Sequence, residues 1–179
     1  MTVNFAIVPS PLGRVLVAAT PRGLCAVRFG ESAAELEREL REEFPAATLS
    51  RDASLARFVD AALASVREDS DLVQRAAAPQ VPKRLDLRGT VFQLRVWQAL
   101  RQIPRGETLS YSQLAGNMGE PKATRAVARA CAMNRVALLV PCHRVVGADG
   151  SLTGYRWGVE RKKKLLEAES KSLSKRSGC

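Results

Sequence analysis

Short apolar runs bounded by turn formers open the chain. Residues 3–8, 14–19 and 24–29 are such runs, separated at Pro9–Gly13 and Thr20–Gly23. The pattern predicts three strands in an antiparallel meander. From Glu31 to Glu43 the period changes, with Leu36, Leu40 and Phe44 at four-residue steps on an acidic background. That spacing predicts an amphipathic helix. Leu55, Val59, Leu63 and Val66 mark a second helix. Between 68 and 83 the periodicity stops and Pro79 and Pro82 intervene, which predicts a linker between two subdomains.

The second half reads as mostly helical. Thr90-Val-Phe-Gln93 has the form of a capping box, opening a helix with Phe92, Val96 and Leu100 along one face. Ile103-Pro-Arg-Gly106 ends it. Ser110-Tyr-Ser-Gln113 is a second capping box, starting a short helix that stops near Gly119. Pro121 is predicted in the first turn of the next helix, which runs to about Ala132. Two helices joined by three or four residues containing Gly fit a helix-turn-helix. The apolar run Val136–Val140 leads into Pro141-Cys-His-Arg-Val-Val146, read as extended. Gly147–Gly150 is a turn, Gly154–Gly158 a loop and Val159–Glu169 a final basic helix. The expected fold class is mixed α/β (α+β). An N-terminal subdomain, 1–82, carries a three-stranded antiparallel sheet with helices. A mainly helical subdomain, 83–170, carries the helix-turn-helix, and 171–179 is a disordered tail rich in Ser and Lys.

Length and composition narrow the class. The chain has 179 residues, 46% of them apolar, enough to bury a packed interior. No apolar run approaches the ~20 residues of a membrane span. Phe5–Val8 is cut short by Pro9 and Pro11 and is no signal-peptide core. A soluble, cytoplasmic protein is expected. Net charge is +10, unevenly placed. Residues 1–82 carry nine arginines and no lysine against eleven acidic side chains, whereas 83–179 carry nineteen basic against seven acidic. The second half therefore suits a polyanion, while the first half has another task. Cys25, Cys131, Cys142 and Cys179 show no CxxC pair, and His143 is the single histidine, so no metal site and no disulfide framework are expected.

That histidine directly follows Cys142, itself preceded by Pro141. A thiol needs a base or a positive field to become a nucleophile, so the pair is a candidate nucleophile and base. On an extended segment adjacent side chains point to opposite faces, so activation would need a bridging water or a tight turn. The dipeptide alone reads rather as a buried cysteine beside a surface histidine.

The wider pattern is more specific. Pro141-Cys-His-Arg-Val145, with Arg125-Ala-Val and Asn134 before it and Gly154-Tyr-Arg156 after it, resembles the O6-alkylguanine-DNA alkyltransferase family. It looks especially like the bacterial Ada C-terminal domain and its Ogt relatives. Phe92-Gln-Leu-Arg-Val-Trp97 and Ser110-Tyr111 also fall at the family spacing, and the resemblance runs at least from Phe5 to Glu169.

The resemblance implies a ribonuclease-H-like N-terminal fold and direct-reversal DNA repair. Cys142 would accept the alkyl group, His143 would be its water-linked base, and Glu169 would orient the imidazole. Tyr111 would donate its hydroxyl to the purine ring. Arg125 would fill the space left by an extruded nucleotide, a substitution that offsets part of the few kcal/mol of unstacking. Ala126, Ala128 and Arg129 would belong to a slim helix entering the minor groove, with little sequence specificity. Asn134 would bridge the helix-turn-helix to the active-site segment. Backbone groups of Cys142 and Val145 would receive the guanine amino group. Tyr155, Arg156 and Trp157 would wall the pocket, with the Arg156 amide facing O6, and Arg144 would hold a buried salt bridge or backbone bonds. On residue type alone, Glu169 and Arg125 read as exposed helix charges, Tyr111 as a half-buried tyrosine and Asn134 as a helix cap.

Two departures matter. The zinc site of eukaryotic members has no counterpart, since Cys25 lacks histidine partners, and Ada's N-terminal metal-binding and transcriptional modules are missing, so repair without regulation is expected. The implied reaction is single-turnover transfer from O6-alkylguanine, and from O4-alkylthymine, to Cys142, with no cofactor. The implied partner is double-stranded DNA bound by a monomer. Competing readings are a non-catalytic, alkyltransferase-like damage sensor and a cysteine hydrolase. Cys142 argues against the first and the basic second half against the other.

Overall fold

The computed structural model describes residues 1–66 and 84–174. The linker predicted over 68–83 lies outside the described residues, as does the end of the chain from 175. Two compact units form. Unit 1 is Met1–Leu87 with Arg135–Leu139, and unit 2 is Arg88–Asn134 with Val140–Cys179.

In unit 1 the predicted meander is present as β1 (Thr2–Ser10), β2 (Gly13–Thr20) and β3 (Gly23–Gly30), antiparallel throughout. Ser10 pairs with Gly13 and Thr20 with Gly23, leaving two-residue hairpin loops that each contain a proline. Gly23 is required twice over: its φ is +147°, and a Cβ there would stand 2.4 Å from the Arg84 carbonyl oxygen. Helix α1 (Ala33–Glu43) starts from the Ser32 hydroxyl, which accepts from the Glu35 N–H, and buries Leu36 and Leu40. A fourth strand, β4 (Thr48–Arg51), pairs parallel to β1 and gives the order β3-β2-β1-β4. The sequence pattern predicts only the first three of these strands. Thr-Leu-Ser-Arg is too short and polar to show alternation, and only its partner's edge makes it a strand.

Alternation, broken once where the β2–β3 register shifts between Ala18 and Ala19, places one set of side chains against α1: Val3, Phe5, Leu16, Ala18, Cys25, Ala26, Leu36, Leu40 and Phe44 form one core cluster. Each large apolar member contributes about 1.5–3 kcal/mol by leaving water. Val15, Val17, Val27 and Phe29 point to the other face and are buried too. A turn of 3-10 helix, Ala53–Ala56, runs into α2 (Arg57–Val66), where Leu55, Val59 and Leu63 are buried as their spacing predicts.

Unit 2 holds α3 (Val91–Leu100), α4 (Tyr111–Asn117), α5 (Thr124–Ala132) and α6 (Val159–Ser174). Both capping boxes form with reciprocal bonds, at Thr90/Gln93 and Ser110/Gln113. Val96 and Leu100 are buried but Phe92 is only half so; Trp97 takes the inner position, donating from Nε1 to the Ala130 carbonyl at 2.9 Å. Pro121 lies before α5 rather than in its first turn. The Ala123 N–H bonds the Glu120 carbonyl at 2.8 Å, so Pro121 takes the second position of a β-turn, where its fixed φ suits. The α4–α5 connection therefore spans 118–123, longer than the three or four residues predicted. Helix α6 continues through Lys171 to Ser174, because neither proline nor glycine interrupts it there.

Candidate active site

At the end of α5 stands Asn134, 1% exposed. Its Nδ2 donates to the Val140 carbonyl at 2.8 Å and to Cys142 Sγ at 3.1 Å. Pro141 then introduces one turn of 3-10 helix, Cys142–Arg144, closed by the Arg144 N–H on the Pro141 carbonyl at 3.0 Å. This corrects the extended segment read from sequence. With three residues per turn, neighbouring side chains diverge by about 120° instead of alternating between two faces.

His143 is buried, not on the surface. Its Nε2 lies 3.0 Å from Glu169 Oε1, while Nδ1 is buried with no hydrogen-bond partner among the described residues. Arg144 grips the same carboxylate, with Nε on Oε2 at 3.0 Å and Nη2 on Oε1 at 2.9 Å, and reaches the Ile103 carbonyl at 2.7 Å. The Gly106 N–H also donates to Oε2, at 3.3 Å. Burial pushes the Glu169 carboxyl up, but the hydrogen bonds from His143 and Arg144, with the Arg144 charge, outweigh it and hold the group well below the usual carboxylate range. A buried, ionised carboxylate thus faces the imidazole. Burial lowers the His143 pKa, and Glu169 opposes that change.

The sulfur experiences opposing influences. Burial pushes the Cys142 thiol up to about 11, while the Asn134 amide, Lys162 and Arg156 pull the other way. Lys162, on α6, is fully buried; its Nζ donates to the Thr153 carbonyl at 3.1 Å and sits 5.8 Å from the Tyr111 ring centre. Burial lowers the Lys162 pKa, opposed by Cys142 and Cys131. In the sequence Lys162 reads only as one of a basic run. A signal was present, because Lys162, Leu165 and Glu169 fall at i, i+3 and i+7, one helix face, and all three are buried.

Tyr111 starts α4 and donates its hydroxyl to the same Thr153 carbonyl at 3.2 Å. Burial first, then Cys131 and Cys142, push its phenol up to about 12, so it remains a proton donor. Val145 begins a two-residue strand, β6 (Val145–Val146), paired parallel with β5 (Leu109–Ser110), which brings the Cys142 turn beside the start of α4. In the following loop Tyr155 and Trp157 are buried and meet edge to face at 5.3 Å, with the Arg156 guanidinium 5.9 Å over the indole.

The remaining residues singled out lie on α5. Arg125, Ala126 and Arg129 are exposed and Ala128 half-buried, opposite the inward Val127, Ala130 and Cys131. The structure thus gathers Cys142, His143, Glu169 and Asn134 into a bonded cluster. It sets Arg125, Ala126 and Arg129 apart on an open cationic face. Among the described residues no group of three or more His, Cys, Asp or Glu is placed to hold a metal. None of their helices is long and apolar enough to cross a membrane.

Known proteins resemble this chain in sequence and in fold. Residues 91–171 match the family model for the DNA binding domain of 6-O-methylguanine DNA methyltransferase, and residues 3–72 that for its ribonuclease-like domain. The chain is 49% identical over 173 residues to the bifunctional transcriptional activator/DNA repair enzyme Ada of Escherichia coli, covering 96% of this chain and 47% of Ada. It therefore spans about half the length of that relative. The methylated-DNA–protein-cysteine methyltransferase of Methanosarcina acetivorans is 40% identical over 169 residues, 92% of this chain and 97% of the relative. Among solved structures, the Mycobacterium tuberculosis O6-methylguanine methyltransferase superposes with a TM-score of 0.74 at 37% identity, over 95% of this chain and 94% of the other. The same organism's OGT in complex with DNA gives 0.73 at 36%, over 94% and 93%.

Proposed function

Because the chain belongs to the 6-O-methylguanine DNA methyltransferase family, we propose that it repairs DNA by direct reversal, moving an alkyl group from guanine O6, and from thymine O4, onto Cys142. The observation that carries this reading is a sulfur held by Asn134 at 3.1 Å, next in sequence to an imidazole held by an ionised Glu169 at 3.0 Å. A thiol so buried keeps its proton until an acceptor is supplied. His143 is neutral and presents Nδ1 without a partner, so it takes that proton through a water. Glu169 stabilises the imidazolium that results, and Arg144 fixes the carboxylate.

The sulfur attacks the alkyl carbon in line with the C–O6 bond. An S–C bond forms, the C–O6 bond breaks, and its electron pair leaves with the purine. The purine takes up one proton by way of Tyr111, balancing the proton lost by the thiol. The step balances with protein and substrate alone, without a cofactor. The product is a thioether, which water does not cleave readily, so each chain acts once.

Substrate binding follows from unit 2. The open face of α5 enters the minor groove of duplex DNA, where Ala126 and Ala128 allow close approach, Arg129 meets phosphate and Arg125 stacks in the gap left by the flipped nucleotide. Backbone groups at Cys142 and Val145 receive the base, and Tyr155 and Arg156 wall the pocket. One monomeric, cytoplasmic protein serves one lesion.

The test counts methyl groups. Incubation with excess duplex containing O6-methylguanine, followed by intact and peptide mass measurement, should find one methyl per chain, on the Cys142 peptide. More than one per chain, or none on Cys142, rejects transfer. Tight binding without an adduct would identify a damage sensor.

A further inference from the structure

Unit 1 includes five residues from the middle of the second half of the chain, Arg135–Leu139. They connect Asn134 to Val140, Pro141 and Cys142, so this strap separates the sulfur from the amide that bonds it. Two backbone bonds pin it to one residue of β3: the Val27 N–H donates to the Arg135 carbonyl at 2.9 Å, and the Ala137 N–H donates to the Val27 carbonyl at 2.9 Å. Val136 and Ala137 are buried, and Leu138 holds a φ of +68°, a conformation that leucine adopts only under constraint.

A charged group completes the attachment. Glu43, the last residue of α1, places Oε1 2.6 Å from Arg135 Nη1 and pairs through Oε2 with Arg28. Arg28 follows Val27 in β3, and its side chain is 5% exposed. One carboxylate therefore joins the strap's first residue to the strand that receives its backbone. Unlike the exposed pair Arg41–Glu37 at 3.4 Å on the same helix, this link lies on a carboxylate only 15% exposed, where solvent screens it less.

We propose that Glu43 is a positioning residue for Cys142, acting through Arg135 and the strap to set the register between Asn134 and the sulfur. It touches neither substrate nor reacting atoms. Its importance follows from the tolerance of displacement chemistry, in which a 1 Å misplacement far from the reacting atoms costs about a hundredfold in rate. The inference rests on the transfer reading for its kinetic consequence. Its structural consequence can be read without any transfer.

The experiment uses the full chain, as Glu43→Gln, Arg135→Ala and the double variant, with Glu37→Gln as a matched loss of carboxylate on α1. Two quantities are measured. One is the rate of adduct formation on Cys142 with O6-benzylguanine, alongside affinity for unmodified duplex. The other is amide hydrogen exchange at Ala137 and Cys142. Glu43→Gln should slow the adduct about tenfold or more, with duplex affinity within twofold of the parent and Glu37→Gln unchanged. Arg135→Ala should match it, and the double variant should be no slower than either single one. Glu43→Asp should recover part of the rate. Exchange at Ala137 and Cys142 should accelerate together, while β1 and β2 amides keep their protection.

If Glu43→Gln does not fold, Arg135→Ala, which leaves the Arg28–Glu43 pair intact, decides the matter alone. Parent-like rates and exchange in the folded variants, or additive losses in the double variant, overturn the proposal. A parent chain that forms no adduct refutes the transfer reading instead, and the exchange at Cys142 still decides whether Glu43 positions the turn.

Discussion

Asn134 Nδ2 stands 2.8 Å from the Val140 carbonyl and 3.1 Å from Cys142 Sγ, so one amide group ties the end of α5 to both the chain entering the cysteine turn and the sulfur itself. Removing it should act on chemistry more than on DNA binding. Asn134→Leu keeps the branched shape of the side chain but deletes both N–H donors, leaving the Val140 carbonyl without this donor and the thiolate unsupported. Transfer to Cys142 should slow by about a hundredfold, as for loss of one donor to a developing anion. Single-turnover kinetics with methylated duplex, beside duplex affinity, check it; an unchanged rate would remove Asn134 from the site.

Cys142→Ala should abolish transfer and leave DNA affinity within about threefold, because contacts to phosphate supply most of the binding energy. Electrophoretic shift or anisotropy titration with unmodified and methylated duplex measures this. A folded variant that has lost binding would mean that the cysteine turn, rather than α5, grips the DNA.

Arg125 is exposed on α5 and carries one charge toward the proposed groove. Arg125→Ala should weaken duplex binding and reduce the slope of log affinity against log salt by about 1 if the guanidinium displaces a counterion. Its reaction with free O6-benzylguanine should be unchanged, since no duplex has to be opened. Equal losses on free base and duplex would contradict the assignment.

Glu169 links stability to pH. Its folded carboxyl lies well below the unfolded value of about 4.3. Such a group adds stability above the unfolded value and loses it as the pH falls toward the folded one. Glu169→Gln should therefore destabilise by about 3 kcal/mol at pH 7, since Arg144 keeps its charge and loses its partner. The gap between variant and parent should close steadily as the pH is lowered from about 5 toward 2. Denaturant melts across that range supply the measurement, and a gap that widens in acid would reverse the assignment.

Local chemistry was legible in the sequence, because its causes lie within a few residues. The hairpin prolines, Thr90 and Ser110 act on neighbouring backbone, and the strand and helix spacings of unit 1 report a face that must leave water. Pro121 reads as a helix start because the same fixed φ suits a helix start and a β-turn, and only the Ala123-to-Glu120 bond selects the turn. Strand β4 was invisible because four polar residues acquire their conformation from β1.

For the candidate site the division is similar. The order Pro141-Cys-His-Arg and its distance from Asn134 and Glu169 are properties of the sequence, and with the family resemblance they single out Cys142 and His143 as candidates. Burial and direction were not. That His143 points at Glu169, that Arg144 grips the same carboxylate, and that Lys162 is withdrawn from water all depend on contacts between residues far apart in the chain. The sequence by itself determined which groups are present and the local turns that carry them, since those follow from short-range sterics and hydrogen bonding. Only the tertiary structure decided which groups meet, how far each is desolvated and which proton each holds, because those depend on the low-dielectric surroundings that packing creates.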